Sequence, residues 1–179
     1  MMTDAEARAA LRNAELIRSA TEVQAAVARV AQEIDAVLNG ACPLVLSVMD
    51  GAIVFTGQLL PLLSFPLDLG YVHVSRYGDE RQGGALRWKV EPDERVQGRT
   101  VLVVDDVLDE GETLAAIKAR VLDRGATACY CAVFAEKMTG RPKAARADFV
   151  GMELPDRFVF GFGMDLNGAW RNLPEVYAV

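Results

Sequence analysis

The sequence predicts an α/β fold, a mostly parallel sheet flanked by helices, and three observations support it. Apolar stretches of strand length alternate with helical patterns, which indicates parallel strands joined by crossovers. Residues 101–122 pass from β-branched residues through two acids and a glycine-containing loop into a helical pattern. A length of 179 residues is enough for one domain with a sizeable core, and a composition of 51% apolar and 25% charged residues is typical of a globular protein.

Two helices are predicted at the N-terminus. Residues 4–18 are rich in alanine and form the first. The second begins near Ser19, where Glu22 completes a capping box, and Gly40 ends it. One side of this second helix is apolar and is expected to face the core: Val23, Val27, Val30, Ile34 and Leu38.

The middle of the chain predicts two strands around an apolar helix. In order, the pattern indicates a strand over residues 43–49, a helix over 53–63 that is bent or ended near Pro61, and a strand over 67–76. Residues 77–84 are polar and rich in glycine, and predict a mobile loop. Residues 85–90 return as a strand, so these strands can form a hairpin with a long tip.

Residues 101–114, VLVVDDVLDEGETL, are the most informative stretch. Residues 101–104 are typical of a strand buried on both faces, and Asp105 and Asp106 follow directly. We expect both carboxylates at the carboxyl end of that strand, where open α/β sheets bind ligands. The loop amides of residues 110–113 would lie near the positive end of the next helix, which suits a phosphate.

The C-terminal part predicts shorter elements. They are a strand over residues 127–135, a basic loop over 136–147, and short strands over 148–153 and 157–162.

Composition excludes several functions. A net charge of −6 disfavours a general nucleic-acid binder, because phosphate backbones need a basic surface. The cysteines, Cys42, Cys129 and Cys131, are odd in number and form no CxxC pair, which argues against a disulfide framework or a zinc site. The sequence has no signal-peptide pattern and no apolar run long enough for a membrane, so we expect a cytoplasmic protein.

Two stretches carry a resemblance to a known family. VLVVDDVLDEGETL resembles the phosphoribosyl-pyrophosphate (PRPP) binding motif of type I phosphoribosyltransferases. Residues 148–171, DFVGMELPDRFVFGFGMDLNGAWR, resemble the C-terminal purine-binding segment of hypoxanthine-guanine phosphoribosyltransferases. The resemblance covers the chain from about residue 44 onward. It implies a single domain over residues 1–179, with a core over about 40–147 and a small hood from about 148–179 plus part of the N-terminus.

The reaction that the resemblance implies is purine salvage. Hypoxanthine or guanine would react with PRPP to give IMP or GMP and pyrophosphate, with Mg²⁺ as the cofactor. The family resemblance also implies a homo-oligomer, a dimer or a tetramer.

The resemblance implies roles for the residues that match the family motifs. Asp105 and Asp106 would contact the ribose hydroxyls, directly or through metal-bound water, and Asp109 would act on the purine N7 proton. Lys137 would donate to the purine 6-oxo group, Phe158 would stack on the base, and Val159 would offer backbone contacts. The 5′-phosphate would bind to Glu110, Gly111, Glu112 and Thr113.

The remaining implied roles concern pyrophosphate, metal and lid. Asp50 and Gly51 match the pyrophosphate loop, and Arg171 would also meet pyrophosphate. Asp165 would join Asp105 and Asp106 in binding Mg²⁺. Residues 76–87, with Arg76 and Tyr77 at the base, match a flexible lid.

The chain departs from the family pattern at three places. Many members have Lys or Arg where this chain has Asp50, so backbone amides must carry that pyrophosphate contact. Arg76-Tyr77 stands where many members have Ser-Tyr, and Arg76 is a candidate for the missing positive charge. The side chains of Glu110 and Glu112 are expected to point away from the phosphate.

The reaction chemistry agrees with these assignments. Substitution at the anomeric carbon develops positive charge on the sugar and negative charge on pyrophosphate, so carboxylates belong near the sugar and a cation near the leaving group. Magnesium takes one or two carboxylates together with substrate phosphates. A carboxylate near the base would assist proton loss by a factor of roughly 10²–10⁴.

Alternative interpretations remain open. A VVDD stretch alone also occurs where a strand reaches a solvated loop; Lys137 alone would be a surface lysine and Phe158 a core residue. Asp165 could be a turn residue and Arg171 an ion-pair partner. For the whole protein, one rival is a PRPP- or nucleotide-sensing regulator of the same fold. Another is a phosphoribosyltransferase for xanthine or another base.

Overall fold

The structure is a computed structural model that describes residues 2–76 and 86–179. Nine strands and four α-helices lie in these ranges, and six strands form one sheet in the order β4-β3-β2-β5-β6-β7. All neighbours in this sheet run parallel except β3 and β4. The elements are α1 (Asp4–Asn13), β1 (Glu15–Arg18), α2 (Ala20–Leu38), β2 (Leu44–Met49), α3 (Ile53–Leu59), β3 (Asp68–Arg76), β4 (Leu86–Val90), β5 (Thr100–Leu108), α4 (Glu112–Asp123), β6 (Ala128–Met138), β7 (Phe149–Pro155), β8 (Val159–Phe160) and β9 (Val176–Ala178). The predicted fold class is confirmed.

The central strands are apolar because both faces of the sheet are covered. Val45 and Leu102 belong to a buried cluster with side chains of α2 and α3. Leu44, Leu46 and Val103 belong to a second cluster with side chains of α4. A parallel strand buried on both faces needs a continuous apolar run, and β5 supplies one before its acids.

The N-terminal prediction is correct for α2 and partly wrong for the segment before it. Ser19 and Glu22 form the expected capping box, and the predicted apolar side of α2 is buried. The first helix ends at Asn13, and residues 15–18 form β1 instead of a last helical turn. β1 pairs with β9, so a tertiary contact overrides the local helical pattern.

Strands β5 and β6 are longer than predicted. Their pairing continues through Asp105↔Val133 to Leu108↔Glu136, so Asp105 and Asp106 lie inside β5 and not after it. Lys137 is likewise inside β6. The ladder between the two strands supplies the backbone hydrogen bonds that the polar ends of these strands need.

A second, three-stranded sheet has the order β1-β9-β8 and so joins N-terminal and C-terminal segments. β7 pairs with β6 in the large sheet, although it falls within the range expected for the hood. The predicted strand over residues 157–162 is shorter, since positive φ angles at Gly161 and Phe162 turn the chain after β8. In the described ranges, no helix combines the length and apolar character that a membrane crossing requires.

Candidate active site

A large cavity opens beside the carboxyl ends of β2, β5 and β6. Its volume is about 820 Å³, comparable to sites for small molecules. Five parts of the predicted site share it: the pyrophosphate loop after β2, the acid pair of β5, the loop after β5, Lys137 and the purine segment. Its wall contains Val48, Met49, Gly51, Val74, Asp105, Asp106, Val107, Asp109, Glu110, Thr113, Lys137, Arg141, Asp156, Arg157 and Phe158.

The acid pair lies at the floor of this cavity against the loop that follows β2. The Asp105 side chain accepts from the Asp106 amide at 3.0 Å, and Asp106 accepts from the Val107 amide at 2.8 Å. A Cβ on Gly51 would lie 1.9 Å from Oδ2 of Asp106, so a larger residue at position 51 would displace the Asp106 carboxylate. The predicted pyrophosphate loop therefore contacts the predicted ribose acids directly.

Burial disfavours the charged forms of both acids. Removal from water, followed by the negative charge of Asp106, raises the pKa of Asp105 well above its usual value. Burial also raises the pKa of Asp106, while Arg171 is among the groups that oppose this increase. Two adjacent carboxylates in a buried position form a site that a cation or a ligand hydroxyl would stabilise.

The loop after β5 is shorter than predicted, because α4 already begins at Glu112, within the residues 110–113 that were expected to form the loop. Gly111 precedes the helix with a φ of 82°, a conformation that favours glycine. Thr113, in the first helical turn, reaches the cavity wall, and so does Glu110, whereas Gly111 and Glu112 do not. The position of Glu110 in the cavity wall differs from the expectation that its side chain points away from the phosphate. The helix α4 begins beside this end of the cavity, and the amides at a helix start suit an anion.

The expected base-binding residues lie at another part of the wall. Lys137 Nζ donates to Asp109 Oδ2 at 2.8 Å, which places the two predicted purine-contacting groups side by side. Phe158 is 51% exposed, so its alternative interpretation as a core residue is wrong. Val159 is buried in β8 and does not line the cavity.

The expected pyrophosphate and metal residues of the C-terminal segment do not line the cavity but pack beside it. Arg171 forms an ion pair with Asp165 at 2.7 Å and donates to the Gly163 carbonyl at 2.6 Å. A Cβ on Gly163 would lie 2.1 Å from the Gly51 carbonyl oxygen, so this segment rests on the loop after β2. Asp50 in that loop is exposed.

The predicted lid cannot be placed. Tyr77 lies outside the described residues, and Arg76 is described only as the last backbone position of β3.

Sequence reasoning missed four polar residues near the cavity. Three of them line the cavity wall: Arg141, Asp156 and Arg157. The fourth, Lys143, donates to main-chain carbonyls at the ends of β5 and β6. Asp156 and Arg157 directly precede Phe158, so their position in the purine segment was a usable signal. Lys143 had no such signal, because only the folded loop brings it to the strand ends.

Comparison with known proteins identifies the family. A family model described as a phosphoribosyl transferase domain matches residues 15–167, which include every element from β1 to β8. The chain belongs to the phosphoribosyltransferase family. The resemblance carried by the β5 motif is thereby confirmed.

Two phosphoribosyltransferase relatives cover most of this chain. It is 31% identical over 159 residues to the hypoxanthine-guanine phosphoribosyltransferase of Bacillus subtilis, covering 88% of each chain. It is 32% identical over 166 residues to the enzyme of the same name from Aquifex aeolicus, covering 92% of this chain and 93% of the other.

A solved phosphoribosyltransferase structure agrees in fold. The hypoxanthine-guanine phosphoribosyltransferase of Bacillus anthracis superposes with a TM-score of 0.86 at 26% identity. The match covers 92% of this chain and 98% of that one.

Proposed function

We propose that this phosphoribosyltransferase transfers the 5-phosphoribosyl group of PRPP to hypoxanthine or guanine, giving IMP or GMP and pyrophosphate. The observation that carries the proposal is the Lys137–Asp109 pair at 2.8 Å in the wall of the large cavity. A 6-oxopurine presents an acceptor at O6 beside a proton at N7. An ammonium donor next to a carboxylate acceptor complements that edge.

The same pair discriminates between bases. Adenine carries a 6-amino group, which donates where Lys137 also donates, so adenine would leave both donors unsatisfied. Phe158 offers an exposed aromatic face in the same wall, and stacking on a flat base would cover it. Xanthine differs from hypoxanthine at the 2-position, which neither Lys137 nor Asp109 would contact. The pair therefore does not discriminate against xanthine.

PRPP is assigned to the end of the cavity formed by β5 and α4. Asp105 and Asp106 would hold the ribose hydroxyls, and the amides from Glu110 to Thr113 would hold the 5′-phosphate. Gly51 and Arg171 would hold the pyrophosphate, with Asp50 contributing only its backbone. Asp109 would accept the purine proton as the base attacks the anomeric carbon.

The acid pair fits Mg²⁺. Both side chains provide hard oxygen donors, and burial makes their negative charge costly until it is neutralised. No group of three or more His, Cys, Asp or Glu suited to a metal occurs in the described residues, which agrees with a cation completed by substrate oxygens. When bound, Mg²⁺ would offset the charge of the leaving pyrophosphate. Asp165 as a further ligand stays a prediction, since Arg171 pairs with its carboxylate here.

The deciding experiment is an ultraviolet assay with Mg²⁺, PRPP and five bases: hypoxanthine, guanine, xanthine, adenine and uracil. We expect turnover with hypoxanthine and guanine, and none with adenine or uracil. Turnover with xanthine alone would point to the rival substrate. Tight RNA or DNA binding in a filter assay, without any turnover, would favour the regulatory rival.

Cellular context and assembly are also proposals. The three cysteines are free, and Cys129 and Cys131 are buried as thiols, which supports a reducing compartment such as the cytoplasm. A homo-oligomer stays a prediction that sedimentation equilibrium would test.

A further inference from the structure

Asp109 and Lys137 lie beyond the point where their two strands pair. The last pair between β5 and β6 is Leu108↔Glu136. Lys137 still pairs with Leu154 of β7, the other neighbour of β6, whereas Asp109 begins a loop and has left the sheet. The ladder between β5 and β6 therefore does not fix the separation of the two groups.

Lys143 spans this gap. Its Nζ donates to the Lys137 carbonyl at 2.6 Å and to the Leu108 carbonyl at 3.2 Å, and it forms an ion pair with Glu136 at 2.9 Å. An ammonium group has three donors, so these three acceptors satisfy it completely. Its side chain is only 12% exposed, and a charge in such a position needs this degree of compensation.

We propose that Lys143 is a positioning residue for base recognition, an inference that rests on the proposed function. It joins the main chain just before Asp109 to the main chain of Lys137. When Lys137 donates to a bound base, its direct contact with Asp109 no longer fixes the two side chains. Lys143 still joins their backbones, so it maintains the spacing that a 6-oxopurine edge requires.

The phosphate end of the site has separate support. The Ala144 amide donates to the Glu110 carbonyl at 2.9 Å, and the backbone of Ala145 packs against Gly111. Loss of the Lys143 side chain leaves these backbone contacts in place. The inference therefore requires base binding to suffer more than PRPP binding.

The test compares K143Q with R146Q, which removes one positive charge from an exposed position in the same loop. For K143Q we expect kcat/KM for hypoxanthine and guanine to fall about tenfold or more, because small misplacements of reacting groups cost up to about 10²-fold. The KM for PRPP should stay within about twofold, and R146Q should match the wild type. If K143Q does not fold, K143M, which fills the same space, replaces it.

Three outcomes would overturn the inference: unchanged base kinetics, equal losses for base and PRPP, or the same effect in R146Q. Crystal structures of wild type and K143Q without substrate provide a readout that does not depend on activity. We expect the separation between the Leu108 and Lys137 carbonyls to widen in the variant, and an unchanged separation would contradict the role. Wild-type protein inactive toward all five bases would overturn the proposed function instead.

Discussion

At the residue scale, Asp105 combines a proposed ligand-binding role with a cost to stability. Its carboxyl group is almost fully buried beside Asp106, and both facts raise its pKa. A carboxyl group whose pKa is higher in the folded state stabilises the fold fully below its unfolded pKa. That contribution is lost as the pH rises toward the folded pKa, so this carboxyl group makes folding less favourable at neutral pH than at low pH.

We therefore predict that D105N is more stable than the wild type at pH 7 without ligands and in the presence of EDTA. Asparagine keeps an oxygen that can accept from the Asp106 amide but carries no charge. Because a raised pKa in the folded state costs stability wherever the unfolded chain is ionised, we expect the free energy of unfolding to rise in the variant. Urea unfolding at pH 7 and pH 4 measures this.

The gain should shrink at pH 4, where the wild-type carboxyl group also becomes neutral. A gain that is equal at both pH values would contradict the assigned cause. The same variant should lose most of its transferase activity, as expected where function requires a destabilising group.

Asp109 allows a test of proton transfer at a single residue. In D109N the side-chain oxygen can still accept from Lys137, so the geometry should survive while the base is lost. We predict that kcat falls by about 10²-fold or more. Calorimetric titration should give a PRPP affinity within about threefold of the wild type. D123N, at an exposed position at the end of α4, is the control, and equal turnover in D109N and D123N would remove the role of Asp109.

At the scale of elements, the junction of β5 and α4 depends on Gly111. Its positive φ turns the chain into the helix, and a Cβ there would lie 2.8 Å from the Ala145 amide nitrogen. The loop that carries Lys143 thus packs directly on the predicted phosphate-binding turn.

We predict that G111A lowers stability by roughly 1–3 kcal/mol and raises the KM for PRPP at least about tenfold, because strain and a backbone clash act together. G98A is the matched control, since Gly98 also has a positive φ of 71° but nothing within 4 Å of its Cβ position. It should lose about 1 kcal/mol of stability and keep its KM for PRPP. Equal kinetic effects in the two variants would show that the clash with Ala145 is unimportant.

These elements show what sequence could and could not predict. Capping boxes and apolar periodicity are local, so α2, the central strands and the β5–α4 motif were predictable. The extension of β5 and β6, and the replacement of a helical turn by β1, depend on partners far away in the chain. The contact of Gly51 with Asp106 and the bridge made by Lys143 arise only when separate loops meet, so no local pattern reports them.

For the whole molecule, the proposed site draws on both sheets: the large sheet carries residues assigned to both substrates, including Lys137 of β6, whereas the small sheet carries only a residue assigned to the base. Asp105, Asp106 and the phosphate-binding turn belong to the large sheet and the helix that follows it, whereas Phe158 precedes β8 of the small sheet. The small sheet holds Phe158 through the Val179 amide, which donates to the Phe158 carbonyl at 3.1 Å. Changes in the small sheet should therefore alter base binding and leave PRPP binding intact.

V179P tests this expectation, because proline removes the amide hydrogen and keeps the chain length. A net hydrogen bond contributes about 0.5–1.5 kcal/mol, so we predict a KM for guanine and hypoxanthine that is roughly 2- to 10-fold higher. The KM for PRPP should not change. V179A keeps the amide and replaces a side chain that is 54% exposed, so it should behave as the wild type. If V179P raised both KM values equally, or V179A reproduced its effect, the small sheet would not act on the base alone, and Phe158 would lose its assignment to the base.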